Sequence, residues 1–163
     1  MQELRTDELT GAQVIIAPGR ATRPEVFRPA AADATGTPPA TCPFCEGHEA
    51  MTPPEVARAG GGAPDAPGWQ VRIVPNLYPI VGDGVPGAHE VIVLSPAHDG
   101  RLDRLSSDAA TAALVALRDR AAYHLDAGLV HAQPMLNQGR ASGASIEHPH
   151  AQLVVLDTVG TWP

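Results

Sequence analysis

Apolar positions along the chain form five short runs and one longer pattern with helical spacing. The short runs are rich in β-branched side chains and are bounded by glycine, proline or polar residues, which is typical of β-strands. The apolar residues of the longer pattern fall roughly on one stripe of a helix. The sequence therefore predicts strands over residues 14–17, 70–74, 90–94, 129–137 and 151–156, and a helix over residues 106–126.

The ends of the predicted helix carry recognisable signals. Ser106 or Ser107 can cap its first turn, Asp108 complements the helix dipole, and Gly128 follows its last turn. Several strands with one packed helix predict an α+β fold with an antiparallel sheet. The length of 163 residues suits one domain spanning 1–163. Stretches 27–41 and 60–68, rich in small residues and proline, are predicted to be irregular connections.

Composition narrows the function classes. All 11 basic residues are arginine, and 18 acidic residues leave a formal net charge of -7. A nucleic-acid-binding protein would need a dense basic surface, whereas a few placed arginines suffice for a small anionic substrate. No apolar run reaches membrane-spanning length, and the first residues are charged where a signal peptide is apolar. We therefore expect no nucleic acid, no membrane and a cytoplasmic location.

The two cysteines, Cys42 and Cys45, are separated by two residues. This spacing lets one tight turn present two thiolates to a tetrahedral metal ion such as zinc. The alternatives are a redox dithiol or two ordinary buried thiols, but redox motifs open a helix after a strand, and here Pro-rich sequence precedes the pair. With no third cysteine, the remaining ligands must come from the seven histidines, among which spacing alone does not choose. They are His48, His89, His98, His124, His131, His148 and His150.

Segment 137–152 combines a strand end, a loop of small residues and two histidines. The loop residues Gly143, Ala144 and Ser145 let backbone N–H groups approach an anion, and the serine hydroxyl is a further donor. In an extended segment His148, His150 and Gln152 share one face, so Gln152 could hold a phosphoryl oxygen. One histidine could complete a metal site while the other attacks phosphorus, or both could bind one metal ion without catalysis.

Residues 148–152 resemble the H-x-H-x-Q signature of the galactose-1-phosphate uridylyltransferase branch of the histidine-triad superfamily. Four more motifs resemble that family in the same order, and together they cover most of the chain. They are segment 10–24, Cys42-Pro43-Phe44-Cys45, Asn76-Leu77-Tyr78-Pro79 and Ser95-Pro96-Ala97-His98. The resemblance implies a histidine-triad-like antiparallel sheet with one main packed helix, corresponding to the N-terminal half of the family.

The resemblance also implies a role for individual residues. Zinc is held by Cys42, Cys45, His98 and His148, which sets His48 and His89 aside as ligands. His150 is the nucleophile and Gln152 assists it, so a nucleoside monophosphate moves from a nucleoside diphosphate sugar to a sugar 1-phosphate through a covalent nucleotidyl-histidine. This is a reaction of galactose metabolism in that family. Substrate contacts are implied for Arg20, Arg23, Asn76, Asn137, Gly143, Ala144 and Ser145.

Two departures from the family keep alternatives open. The second half of the family is absent from this sequence, which implies a homodimer or a partner half that covers the exposed sheet edge, or a fragment of a longer protein. Leu77 follows Asn76 where the uridylyltransferases carry an acidic residue, and this resembles relatives of the ADP-glucose phosphorylase type. The alternatives are therefore an adenylyltransferase or ADP-sugar phosphorylase, a histidine-triad hydrolase, and a non-catalytic, zinc-stabilised nucleotide-binding half-protein.

Overall fold

The structure is a computed structural model that describes residues 1–22, 39–136, 138 and 146–160. The described part contains seven strands and one long helix, which confirms the predicted α+β class. The elements are β1 (Glu3–Thr6), β2 (Gln13–Ile16), β3 (Ala57–Gly60), β4 (Trp69–Pro75), β5 (Gly87–Val93), α1 (Ser107–Asp126), β6 (His131–Leu136) and β7 (His150–Leu156). No helix in these ranges combines the length and apolarity that a membrane span requires.

Five strands form one antiparallel sheet in the order β3-β4-β5-β7-β6. The central pair is β5 and β7, where Val93 lies opposite His150 and Val91 lies opposite Gln152. Strands β1 and β2 form a separate antiparallel hairpin. The hairpin packs through Leu4 and Ile15 on a small apolar cluster that contains Val154.

Successive side chains along each strand point to opposite faces of the sheet, and the two faces differ in what covers them. On the helix face, Ile92 and Leu153 belong to a buried cluster that packs against α1. The opposite face carries Val74, Val91 and Val93, and we call it the site face. The segment before β3 packs on this face through an apolar cluster that includes Cys42 and Phe44.

The strands predicted from the sequence correspond to β2, β4, β5, β6 and β7. The sequence pattern does not predict β1 and β3, because Glu-Leu-Arg-Thr and Ala-Arg-Ala-Gly contain few of the residues that favour strands. The helix begins at Ser107, and Ser106 is its cap, since the Ser106 side chain accepts a 3.2 Å hydrogen bond from the Ala109 N–H group. At the other end, Gly128 has the positive φ of 103° that often ends a helix.

The predicted connection over 60–68 joins β3 to β4, although Gly60 is itself the last residue of β3. Gly62 has a φ of +82°, and a Cβ atom there would lie 2.1 Å from the Pro67 carbonyl oxygen, so only glycine fits. The other predicted connection, 27–41, lies outside the described residues except for a short 3-10 helix, Pro39–Thr41.

A buried arginine on β4 ties the 60–68 connection to the sheet. Arg72, only 1% exposed, donates to a Glu55 carboxylate oxygen at 2.9 Å and to an Asp65 carboxylate oxygen at 2.7 Å. Burial works to raise the pKa of Glu55, but hydrogen bonds from Arg58 and Arg72 outweigh it, and the pKa lies below its usual value. The ionised Glu55 carboxylate therefore compensates the buried guanidinium charge of Arg72 together with Asp65.

Candidate active site and metal centre

The cysteine pair lies on a tight double turn. The Cys45 N–H group donates to the Cys42 carbonyl oxygen at 3.3 Å, and the His48 N–H group donates to the Cys45 carbonyl oxygen at 3.0 Å. Gly47 follows with a φ of +92°, which glycine adopts without strain. Because Cys42 and Phe44 are buried in the cluster on the site face, the turn is held against the sheet.

Glu49 anchors the cysteine turn to β4. Its buried carboxylate accepts hydrogen bonds from the Trp69 indole N–H group at 2.8 Å and from the Gly47 backbone N–H group at 3.1 Å. Burial acts to raise the pKa of Glu49, but these hydrogen bonds and the charge of Arg72 lower it below its usual value. The carboxylate remains ionised, so both anchoring bonds are charge-assisted.

The two histidines of the candidate metal centre come from segments that adjoin neighbouring strands. β5 ends at Val93 and leads into the turn that carries His98, while His148 lies two residues before the start of β7. Because β5 and β7 are antiparallel, the end of one and the start of the other meet at the same edge of the sheet. Their ring atoms face Cys45, whose Sγ atom lies 3.2 Å from His98 Nδ1 and 3.7 Å from His148 Nδ1.

Four potential ligand atoms converge at this edge. The ligand atoms of Cys42, Cys45, His98 and His148 all lie within 4.8 Å of one another, and the group could hold a metal ion. Two thiols and two imidazoles form a donor set that suits a tetrahedral ion. His48 is not in the group, because its Nδ1–H group donates to the Cys42 carbonyl oxygen at 2.7 Å and braces the turn.

Burial shifts the pKa of two of these ligands, His148 and Cys42. The Nε2–H group of His148 donates to the Ser95 carbonyl oxygen at 2.7 Å, so Nδ1 carries the lone pair that faces the thiols. Burial lowers the pKa of His148 to about 4, against the opposing effect of that carbonyl group. Burial raises the pKa of the Cys42 thiol to about 11. A bound cation would reverse the shift for the thiol, because a coordinating thiol is deprotonated. The donor chemistry therefore fits a metal ion.

His150 lies at the start of β7 on the site face, two residues after His148. It is 8% exposed, and its ring centroid lies 5.2 Å from that of Phe44. Its Nδ1–H group donates a 2.8 Å hydrogen bond to the His148 carbonyl oxygen. In this neutral tautomer Nε2 carries the lone pair, which is the state that a nucleophilic histidine requires.

A polar cluster lies next to His150 on the same face. Gln152, the next residue on this side of β7, receives hydrogen bonds at Oε1 from Asn76 Nδ2 at 3.3 Å and from His89 Nε2 at 3.0 Å. His89 is buried, and sequence reasoning set it aside because the resemblance gave it no ligand role. Its place at a site-facing position of β5 is the signal that strand alternation could have supplied.

The structure brings only some of the predicted substrate contacts together. Arg20 Nη1 donates to the Tyr78 carbonyl oxygen at 2.7 Å, and Tyr78 N–H donates to Asn76 Oδ1 at 2.9 Å, so Arg20 and Asn76 flank the same strand end. His124, one of the seven candidate histidine ligands, lies away from this site, because it pairs with Glu90 on the helix side at 2.9 Å. The other predicted contacts lie outside the described residues, and their roles stay predictions. They are Arg23, Asn137, Gly143, Ala144 and Ser145.

The antiparallel sheet and the Cys2His2 group beside an H-x-H-x-Q segment together define the class of this chain. It is similar to proteins of the galactose-1-phosphate uridylyltransferase type, and the resemblance given by its motifs is confirmed. Over 178 residues it is 32% identical to ADP-glucose phosphorylase from Arabidopsis thaliana, a match that covers 96% of this chain and 49% of that relative. The chain thus spans about half the length of the curated relative it matches. No protein-family model matches it.

Solved structures agree with this relationship. A crystal structure of an Arabidopsis thaliana ADP-glucose phosphorylase with bound ADP-glucose superimposes with a TM-score of 0.66 and 29% identity, covering 98% of this chain and 50% of that one. A GalT-like protein from Arabidopsis thaliana gives 0.65 and 28%, covering 96% and 48%. A uridylyltransferase structure gives 0.65 at 24% identity, covering 98% and 47%, and this shows the fold alone.

Proposed function

We propose that this chain is a nucleotidyltransferase domain in which His150 carries a nucleoside monophosphate covalently. The observation that supports the proposal is the 2.8 Å hydrogen bond from His150 Nδ1–H to the His148 carbonyl oxygen, which places the lone pair on Nε2. A fixed tautomer and a buried ring prepare this nitrogen for attack without a separate base. The similarity to ADP-glucose phosphorylases is consistent with this chemistry.

In the proposed first step, His150 Nε2 attacks the α-phosphorus of a nucleoside diphosphate sugar. The new N–P bond forms as the bond from that phosphorus to the bridging oxygen breaks, and the sugar 1-phosphate leaves with the electron pair. No proton leaves the ring, because Nδ1 keeps the one it shares with the His148 carbonyl group. The ring becomes cationic, and the carbonyl dipole stabilises that charge.

In the second step, an oxygen of an acceptor phosphate attacks the same phosphorus and the N–P bond breaks. Phosphoryl-type transfer needs positioning and charge stabilisation more than acid–base groups. We propose that the Gln152 amide N–H group donates to a phosphoryl oxygen, since Gln152 lies on the same face of β7 as His150. The predicted donors at Gly143, Ala144 and Ser145 complete this role.

We propose that the metal ion is zinc and that its role is structural. Cys42, Cys45, His98 and His148 would hold it, and four protein ligands leave no open position for substrate. When bound, the ion supplies a rigid cross-link between the cysteine turn and the edge where β5 ends and β7 begins. The chain's own residues then fix the His148 carbonyl group that orients His150.

We propose that the nucleotidyl donor is an ADP-sugar rather than a UDP-sugar. Leu77, 65% exposed, follows Asn76 where the uridylyltransferases carry an acidic residue. ADP-glucose phosphorylases are among its relatives at 29 and 32% identity. The domain over 1–163 matches about half of these proteins, and a homodimer or a partner half stays a prediction. The cytoplasmic location stays a prediction.

A product assay tests the proposed reaction. The chain is incubated with ADP-glucose or UDP-glucose alone, with inorganic phosphate, or with a sugar 1-phosphate. Nucleotidyl transfer that requires an acceptor supports the proposal, and a preference for ADP-glucose with phosphate supports a phosphorylase. Release of free nucleoside monophosphate without an acceptor would instead identify a hydrolase. Nucleotide binding without any turnover would identify a non-catalytic half-protein.

A further inference from the structure

Two side chains fix the orientation of the Gln152 amide group. Both His89 Nε2, at 3.0 Å, and Asn76 Nδ2, at 3.3 Å, approach the same Gln152 Oε1 atom. Within the described residues, every hydrogen bond of the Gln152 side chain runs through this oxygen. The two orientations of an amide group differ only in which end faces a neighbour, so the neighbours decide which end is available to substrate.

Backbone groups decide which way these neighbours donate. The Ile80 N–H group donates to His89 Nδ1 at 3.1 Å, so Nδ1 carries no proton and Nε2 must carry one. The Tyr78 N–H group donates to Asn76 Oδ1 at 2.9 Å, which turns the Asn76 amino group towards Gln152. The Asn76 amino group also lies 3.0 Å from His89 Nε2, but that nitrogen already carries a proton and cannot accept. Gln152 Oε1 is therefore the acceptor that both N–H donors share.

A reversed Gln152 amide would place its own NH2 group against both donors. Three N–H groups would then meet without an acceptor in a half-buried site, which costs the desolvation of each unpaired donor. The structure thus holds Oε1 towards β5 and leaves the NH2 group as the end that can face a phosphoryl oxygen.

We infer that His89 is a positioning residue that locks the Gln152 amide group with its NH2 end towards the transferred phosphoryl group. This inference rests on the proposed function, because it gives the nucleotidyl group as the species that receives the Gln152 hydrogen bond. His89 does not touch the reacting atoms and acts through Gln152. Its buried ring, 6% exposed, lies beside Gln152 on the neighbouring strand.

The kinetic test uses single-turnover rates of nucleotidyl-adduct formation with ADP-glucose or UDP-glucose. Gln152→Ala should slow the adduct about 100-fold, the usual cost of one transition-state donor. His89→Leu should slow it about tenfold, since one of the two bonds to Oε1 is lost. His89→Gln should restore most of that loss, because its amide group can accept from Ile80 and donate to Gln152. The double variant His89→Leu/Gln152→Ala should be no slower than Gln152→Ala.

Controls separate positioning from folding. His131→Leu, the same change on edge strand β6, should leave the adduct rate unchanged, and thermal unfolding reports the stability of every variant. A further tenfold loss from His89→Leu in the Gln152→Ala background would overturn the inference, because His89 would then act independently of Gln152. Failure of His89→Gln to recover the rate while it remains folded would do the same.

A spectroscopic measurement does not depend on turnover. Long-range ¹H–¹⁵N correlation spectra of the wild-type protein should show the His89 proton on Nε2, and the Gln152 side-chain amide signals should move in His89→Leu but not in His131→Leu. If no nucleotide donor modifies His150, the proposed function fails while these spectra still support or overturn the orientation of Gln152. A proton on Nδ1, or Gln152 signals that do not respond to His89→Leu, would overturn it.

Discussion

The side chain of His150 donates through Nδ1 to the backbone carbonyl oxygen of His148, at 2.8 Å. The side chain of His148 faces the thiol of Cys45 through its own Nδ1. One short segment therefore joins the metal centre to the proposed nucleophile. Any change that moves His148 should also disturb the tautomer and the ring orientation of His150.

The first prediction concerns the metal. Freshly purified protein should contain one zinc ion per chain, and Cys42→Ser should lose both the ion and a large part of the folding stability, since binding energy in such sites is folding energy. Elemental analysis together with thermal unfolding checks both statements.

His48→Ala provides the matched control for this prediction. His48 lies three residues beyond Cys45 and donates to the Cys42 carbonyl oxygen, so its removal should cost about 1 kcal/mol but leave the zinc in place. Wild-type protein without zinc would contradict the proposed metal, and loss of zinc from His48→Ala would contradict the ligand set.

The second prediction concerns the buried ion pair between Glu55 and Arg72. Glu55→Gln should lower the free energy of unfolding by about 2 kcal/mol at neutral pH, because the nearly buried guanidinium of Arg72 then keeps only the carboxylate of Asp65, which is 40% exposed, as a counter-charge. Urea denaturation of the wild type and the variant measures the difference. Glu3→Gln, which breaks the exposed Arg5 pair, should produce no measurable change.

The stability that the Glu55–Arg72 pair contributes should depend on pH. The folded pKa of Glu55 is lower than its ordinary value of 4.5, so its contribution is present above that value and is lost as the pH falls through the folded pKa. The stability difference between wild type and Glu55→Gln should therefore shrink on acidification below pH 4.5. A difference that stays constant or grows in acid would contradict the assigned pairing.

The third prediction concerns the start of α1. Ser106→Ala should cost about 1 kcal/mol of stability, because it removes the acceptor for the Ala109 N–H group. Ser107→Ala, one residue later and already helical, should change the free energy of unfolding much less. Equal losses in the two variants would show that Ser106 is not the cap.

The strands that the sequence predicts are those whose burial alternates or is continuous, such as β4 and β7. Strand β3 could not be predicted, because its only signal is its pairing with β4, and such pairing depends on tertiary structure. The pairing of β5 with β7 is equally non-local, with α1 and β6 lying between them in the chain. Local patterns thus give the fold class but not the sheet order.

Local sequence patterns likewise predict some residues of the candidate site but not others. The spacing of Cys42 and Cys45 predicts half of a metal site, whereas only the family resemblance selects His98 from the seven candidate histidines. Alternation along β5 can place His89 on the site face, but it assigns no role to this residue, because a single histidine in a strand has many ordinary explanations. Its contact with Gln152 exists only once β5 and β7 are placed side by side.

The most direct test of the nucleotidyl-histidine is the intact mass of the chain after incubation with ADP-glucose, UDP-glucose or GDP-mannose, alongside His150→Ala. We predict an acid-labile increase of one nucleoside monophosphate on the wild type only, and the donor that produces it identifies the base. An adduct that persists in His150→Ala, or no adduct with any donor in zinc-loaded protein, would contradict covalent transfer through His150.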